Sequence, residues 1–295
     1  MPELKAMNFP LDDGARAGLI FRGDILVHRQ VPALVEMLAL ADRLIRGAFH
    51  PRAPVLAHAS CDPAEFAARA EKLRATFRRH AEIKRLHMRA LEQVGVELRE
   101  TFWDVLRLRV QPSGTSRESA TVRSLPPHRD TWGSNLMEQI NWWHPIYPVA
   151  RDRTMVVYPA YWERPIANDS DRWDIRELRK RRARGEKGDY PLLPVATEPV
   201  ETKGELPIVI EPGDLLCFSG AHLHGSVANE SGLTRFSAEF RTVNEQDRGD
   251  GRGPRNVDGR ASHVAVELFR GITDSRRLGS RRPHAPRSKT RRAAS

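Results

Sequence analysis

The sequence predicts a mainly β fold, a sandwich or barrel, with helices packed outside it and supplied chiefly by the first third of the chain. Two observations carry this. Up to about residue 95, apolar residues recur at helical spacing. Past Glu100 they give way to short alternating or continuous apolar runs separated by Pro and Gly. A chain of 295 residues with 40% apolar and 29% charged side chains can bury a substantial core, and β folds of this size often form one unit. Residues 1–275 are therefore read as one domain: 1–100 mainly helical, 101–245 the β core, and 246–275 a connector with a short helix.

Val31 to Ala48 repeats apolar residues every three or four positions, with Pro32 acceptable in a first turn. Asp62-Pro63-Ala64-Glu65 has the form of a capping box and opens an amphipathic helix predicted to run to about Gly95. Strands are predicted at Val105–Val110, Met137–Trp143, Thr154–Tyr158, Ile208–Ile210, Asp214–Phe218 and Phe236–Val243. Between them, Asp169–Asp189 is densely charged and reads as an inserted helix plus loop. Residues 247–260 are a polar Gly-rich connector, and Ser262–Ile272 is predicted as a final helix.

The net charge of +10 invites a nucleic-acid or membrane partner until its distribution is read. Eight of the 48 Lys and Arg fall in residues 276–295, which hold no acid, leaving 40 against 38 Asp and Glu elsewhere. The excess thus belongs to a Pro- and Ser-containing tail without apolar periodicity, predicted to be disordered and able to meet an anionic partner such as nucleic acid, although a solvated tail is the plainer expectation. No apolar run is long enough to span a bilayer. Two distant cysteines and an N-terminus without a basic-then-apolar leader point to a reduced, cytoplasmic protein.

Chemistry is concentrated in two segments. His128-Arg129-Asp130, if extended, projects His128 and Asp130 to one side and Arg129 to the other. Two His and one carboxylate on one face, with open positions, suit a non-haem ferrous site that activates oxygen. Alone the pair is weak, since chance supplies about 0.6 such pairs in a chain of this composition. The second segment runs from Gly213-Asp214-Leu215-Leu216-Cys217-Phe218 through His222-Leu223-His224-Gly225-Ser226 to Arg235-Phe236-Ser237. His224 is the candidate third ligand, with His222, two residues earlier, as its competitor. A hairpin turning at Asn229 and Gly232 would lay the strand of Arg235 beside that of His224. The Arg235 guanidinium could then grip a carboxylate in fork geometry, with Ser237 adding a hydrogen bond. Random placement produces His-x10-Arg-x-Ser roughly 0.08 times, so its occurrence downstream of the first pair is informative.

These residues resemble the His-x-Asp … His-x10-Arg-x-Ser pattern of iron(II)/2-oxoglutarate-dependent dioxygenases, specifically the phytanoyl-CoA dioxygenase-like branch. The Gly-Asp-Leu-Leu-x-Phe strand and the His-Gly-Ser-x-x-Asn turn are similar to that branch. The resemblance covers about residues 105–243. It implies a double-stranded β-helix (jelly roll) core with helices outside it, Fe(II) held by His128, Asp130 and His224, and 2-oxoglutarate held at its far carboxylate by Arg235 with Ser237. It also implies O2 as co-reactant, and hydroxylation of a small molecule with release of succinate and CO2. Where the branch has Asn-Gly and then Pro-Gly-Ser-His, this chain has Arg151-Asp152-Arg153-Thr154 and Tyr158-Pro159-Ala160-Tyr161-Trp162, which leaves the substrate open.

Trp142 and Trp143 read as core, whereas Trp132, just past the ligands, is a candidate for the substrate pocket. Asn141 and Gln139 share a strand face and are candidates to meet cosubstrate or substrate. The cations of Arg176–Lys187, placed between strands, suggest an anionic small-molecule substrate. No nucleophile elbow or phosphate-binding loop is present, and the glycines of 249–253 follow no apolar strand.

Overall fold

The computed structural model describes residues 3–114, 125–186 and 190–280. The helices are α1 (Asp13–Ile20), α2 (Pro32–Phe49), α3 (Ala57–Ser60), α4 (Pro63–Arg79), α5 (Ala81–Gln93), α6 (Thr131–Ser134), α7 (Ile175–Ala183) and α8 (Glu245–Gly249). The strands are β1 (Leu4–Met7), β2 (Ile25–His28), β3 (Thr101–Trp103), β4 (Arg107–Gln111), β5 (Gln139–Pro145), β6 (Met155–Val157), β7 (Leu206–Pro207), β8 (Leu215–Ser219), β9 (His224–Ser226), β10 (Arg235–Asn244) and β11 (Arg270–Gly271).

Strand alternation sorts these side chains into layers. The larger sheet runs β1-β2-β8-β5-β10-β3-β11, with β4 also pairing β10, and the smaller runs β7-β6-β9. On the larger sheet's outer face Leu108, Val110, Trp142, Cys217, Phe236 and Phe240 meet the helices. There α2 presents Leu34, Met37, Ala41 and Ile45, while α4 presents Phe66, Ala70, Leu73 and Phe77, each at helical spacing. On the inner face Val27, Trp143, Leu216 and Phe218 pack against Met155 and Val157 of the smaller sheet. The expected mainly β class with helices outside is present. The sheets remain separate, so the core is a two-sheet sandwich and not a closed barrel.

Several boundaries differ from expectation. The helix predicted to run from Asp62 to Gly95 is two helices, because His80 is extended and its Nδ1 accepts from Ile83 N–H. The buried series 66-70-73-77 would continue near 81 and 84, but Ala81 and Lys84 are exposed and the next buried residue is Ile83. Ile208–Ile210 is not a strand: both isoleucines fill the space between the sheets, and the ladder stops at Pro207. The final helix predicted at Ser262–Ile272 is a 3-10 turn, Val266–Leu268, followed by β11, since Phe269 is drawn into a cluster with Phe102 and Val243. The mainly helical N-terminal third also supplies β1 and β2. Ile25-Leu26-Val27 is buried on both faces, so it shows no alternation. Most of the tail, residues 281–295, lies outside the described residues, as does the expectation of its disorder. Among the described residues no helix is long and apolar enough to cross a membrane.

Between α5 and the larger sheet, the fully buried His87 and His144 face each other Nε2 to Nε2 at 3.0 Å. His87 Nδ1 donates to the Ile83 carbonyl at 2.7 Å, so its Nε2 accepts from His144. Burial pushes His87 down to about 4, and burial with the His87 charge holds His144 well below its ordinary value. Both rings stay neutral in the fold and take protons only on unfolding, so stability is complete above about pH 6.5 and lost as pH falls toward 4. We expect His87 alone to contribute on the order of 3 kcal/mol to this loss. Urea unfolding of wild type and of the His87→Leu/His144→Leu variant checks it: the difference between them should shift across this window, and a pH-independent difference would refute the coupling.

Candidate metal centre

The centre is built where a bridge ties the loop before α6 to β9. His128 N–H donates to the His224 carbonyl at 2.8 Å and His224 N–H returns the bond at 2.9 Å. The two imidazoles consequently lie side by side, ring centroids 4.3 Å apart. Each ring has its Nδ1 on a backbone carbonyl, His128 on Pro126 at 2.8 Å and His224 on His222 at 3.0 Å. A carbonyl can only accept, so the proton sits on Nδ1 and each Nε2 keeps a free lone pair. Those two Nε2 atoms face Asp130, each 3.8 Å from one of its carboxylate oxygens. The three candidate ligand atoms all lie within 4.8 Å of one another. Burial lowers the basicity of both imidazoles, His128 to about 3, which keeps them neutral.

The convergence of His128 and Asp130 does not arise by strand alternation. Asp130 has helical dihedrals (φ −64°, ψ −28°) and opens α6, so a turn delivers its carboxylate. Gly225 has a steric role in the same convergence. A Cβ there would meet the Leu125 carbonyl at 3.1 Å and Pro127 N at 3.3 Å, so the glycine admits the 125–127 backbone that carries His128 into place.

Asp130 is held by Arg241, which the sequence reading did not single out, and by Asn141, which it expected to meet cosubstrate or substrate instead. Arg241 grips it as a fork, Nη2 to Oδ1 at 2.9 Å and Nε to Oδ2 at 3.1 Å, while Asn141 Nδ2 donates to Oδ2 at 2.6 Å. Gln139 in turn donates to Asn141 at 2.9 Å, and Asp104 braces Arg241 at 3.3 Å. Burial by itself would raise the Asp130 carboxyl, but the Arg241 guanidinium, through its charge and its hydrogen bonds, more than offsets this and holds it well below the usual carboxylate range. Asn141 thus lines the cavity with its amide committed to Asp130, and Gln139 stands behind it. Arg241 was legible in principle. Arg235, Ser237, Glu239 and Arg241 alternate with Phe236, Ala238 and Phe240, and a strand already assigned must turn all four polar residues to one face.

Arg235 reaches the same cavity from the opposite sheet. The hairpin expected to lay its strand beside that of His224 does not form: β9 pairs β6, whereas β10 pairs β4 and β5 in the larger sheet. The connecting residues cross between the sheets, so Arg235 faces the small sheet, donating from Nη2 to Ser226 Oγ at 3.1 Å. Among the described residues its Nε and Nη1 are buried without a partner, and so is Ser237 Oγ. Burial and the nearby Arg109 charge lower the guanidinium to about 10. A buried cation with donors unused among the described residues, beside a hydroxyl free to donate its O–H, is a cradle for an anion.

His222 belongs elsewhere. It precedes the strand, in a turn, so the i, i+2 relation with His224 does not apply. Its Nε2 lies 2.9 Å from the Gly23 carbonyl and its ring stacks on Trp162, centroids 4.3 Å apart. Trp132 is not in the cavity either. It is fully buried behind the small sheet with Val156 and Tyr161, and its Nε1 donates to Asp258 at 2.7 Å. Because α6 begins at Asp130, the side chain two residues on is rotated away from the ligands. Asp258 also pairs with Arg129 at 3.0 Å, so the Gly-rich connector is pinned beneath the segment that carries His128 and Asp130.

The open side of the centre is roofed by α7 and the residues after it. A groove running from His128 and Asp130 is bordered by Trp173, Leu178, Arg182 and Leu192. The inserted helix appears as expected, while Lys187 and Asp189 at the end of the insertion lie outside the described residues.

No family model and no curated protein matches the chain. Among solved structures it is similar to EvdO2 from Micromonospora carbonacea var. aurantiaca complexed with 2-oxoglutarate, at 14% identity over 81% of this chain and 94% of that one, TM-score 0.43. It is also similar to EctD from S. alaskensis with 2-oxoglutarate and 5-hydroxyectoine, at 14% identity over 81% and 78%, TM-score 0.42. A third is the epimerase SnoN in complex with Fe3+, alpha ketoglutarate and nogalamycin RO, at 14% identity over 78% and 83%, TM-score 0.41. These likenesses are remote.

Proposed function

We propose that the chain is a mononuclear iron(II) oxygenase of the 2-oxoglutarate-dependent kind, hydroxylating a small molecule. The observation that carries this is the pairing of two features in one cavity: a His-Asp-His cluster with both Nε2 lone pairs turned inward, and a buried guanidinium with unused donors. The donor set suits a ferrous ion. Two neutral imidazoles and one carboxylate meet its ligand preference and leave other positions for cosubstrate and oxygen. With 2-oxoglutarate and O2, bound iron(II) supplies replacement of a substrate C–H by C–OH, one oxygen atom going to substrate and the other to succinate as CO2 is lost.

The protein's share is to bind, orient and shield. His128, Asp130 and His224 hold the metal. Arg241 and Asn141 keep the Asp130 carboxylate ionised and fixed in direction. Arg235 takes the distal carboxylate of 2-oxoglutarate with Ser237 beside it. Trp143, Met155 and Phe218 line the same cavity and keep bulk water from it. Residues 1–275 act as one domain in this reading, which is supported by β1 and β2 belonging to the sheet that carries Arg235.

Purified protein given Fe(II), ascorbate, 2-oxoglutarate and air should release succinate slowly without added substrate, and a chelator should stop it. Equal succinate in anaerobic and aerobic samples, with bound iron verified, overturns the proposal.

A further inference from the structure

We infer that the substrate is an anionic small molecule whose phosphate or carboxylate is held by Arg78, Arg179 and Arg182 at the mouth of the centre. This rests on the oxygenase reading for its chemistry, though not for its binding. A groove between α4, β4 and α7 is lined by arginines from all three elements and reaches inward to Arg235 and Ser226. Among its cations, Arg74 pairs with Glu71, Arg107 with Asp104, and Arg109 with Glu239. Arg78, Arg179 and Arg182 have no acidic partner among the described residues, and all three are exposed.

Three unmatched guanidiniums facing one concavity repel one another and concentrate anions there. The groove is not a bare cationic strip. Leu178, Leu192, Leu268 and Val105 share its walls, so it offers apolar surface beside the charge. That combination suits a molecule with a charged head and a carbon body more than a polymer backbone contacted along an open face. Arg182 borders both this groove and the one that runs to His128 and Asp130. A head group fixed at the arginines therefore leaves the carbon body directed along the groove toward the metal. Arg235, buried deeper, remains for the cosubstrate, so the two anions have separate anchors.

The test uses inorganic pyrophosphate as probe and calorimetry on the full chain. Arg179→Gln/Arg182→Gln should weaken pyrophosphate at least tenfold, and Arg78→Gln about threefold or more. Lys180→Gln/Arg184→Gln removes the same charge from α7 and its C-terminal cap, outside the groove, and should leave the affinity within twofold. The Fe(II)-dependent affinity for 2-oxoglutarate, measured on the same samples, should not change. Absence of pyrophosphate binding to wild type, or an equal loss in both double variants, overturns the inference. Loss of affinity for a single-stranded oligonucleotide with pyrophosphate unaffected overturns it in favour of nucleic acid. Failure of the oxygenase reading would show separately, as absence of iron and 2-oxoglutarate binding while pyrophosphate still binds.

Discussion

We expect His224→Ala to abolish iron binding and succinate release, while His222→Ala keeps the metal and loses only part of the rate. The contrast follows from where the lone pairs point. His224 presents Nε2 to Asp130 with its proton fixed on Nδ1 by the His222 carbonyl. That bond uses the backbone of His222 and survives substitution of its side chain. The His222 ring instead occupies a buried slot between Trp162 and the Gly23 carbonyl. Its loss should act through packing and through small displacements of the chain leading into β9. Residues behind a ligand typically change metal affinity or activity by about 10–100-fold, whereas removing one of three ligands leaves too few to hold the ion. Metal content after anaerobic reconstitution decides the matter, with circular dichroism to verify folding. His222→Gln, which can still donate to Gly23, provides a second variant if the alanine is poorly folded. Iron retained by His224→Ala and lost from His222→Gln would reverse the assignment.

Substituting Arg235 should separate stability from function with opposite signs. Arg235→Ala removes the proposed charged partner of the distal carboxylate, and we expect 2-oxoglutarate affinity to fall by about 2–5 kcal/mol, at least about 30-fold. Iron affinity should be little affected, because Arg235 does not touch the three ligands. The protein without cosubstrate should respond differently. Arg235 is buried, two of its donors have no partner among the described residues, and burial already drives its basicity down to about 10. An uncompensated buried charge opposes folding, and an apolar side chain of similar length relieves that cost. Arg235→Met should therefore melt at the same temperature as wild type or higher when 2-oxoglutarate is absent. It should then fail to gain the increase in melting temperature that saturating cosubstrate gives wild type. An Arg235→Met variant that is both strongly destabilised alone and fully stabilised by 2-oxoglutarate would show that the guanidinium is structural and that the carboxylate is anchored elsewhere.

The sequence by itself determined the class of fold and the identity of the three clustered residues. Helical spacing in α2 and α4 and the period-two pattern of β10 are local properties, set by which side chains must share a face. The His-x-Asp pair and the offset from His224 to Arg235 were legible for the same reason: they are short-range regularities. Where the sequence misled, the deciding forces were not local. The hairpin joining His224 to Arg235 was a reasonable inference from a turn with Asn229 and Gly232, yet the chain changes sheets there because each strand finds a better-matched partner far away in sequence. Trp132 could not be assigned from its nearness to Asp130, since two residues of helix rotate it by about 200°, to the opposite face. β2 and β11 show no alternation because their environments, buried on both faces or anchored by Phe269, come from elements distant in the chain. The cradle around Asp130 shows the division most clearly. Asp104, Asn141 and Arg241 come from the loop between β3 and β4, from β5 and from β10, and only register between strands brings them together. Sequence proximity sets which residues face the same way, but strand pairing and sheet packing decide what they face, and in this protein that second choice brings three scattered candidate ligands into one cluster.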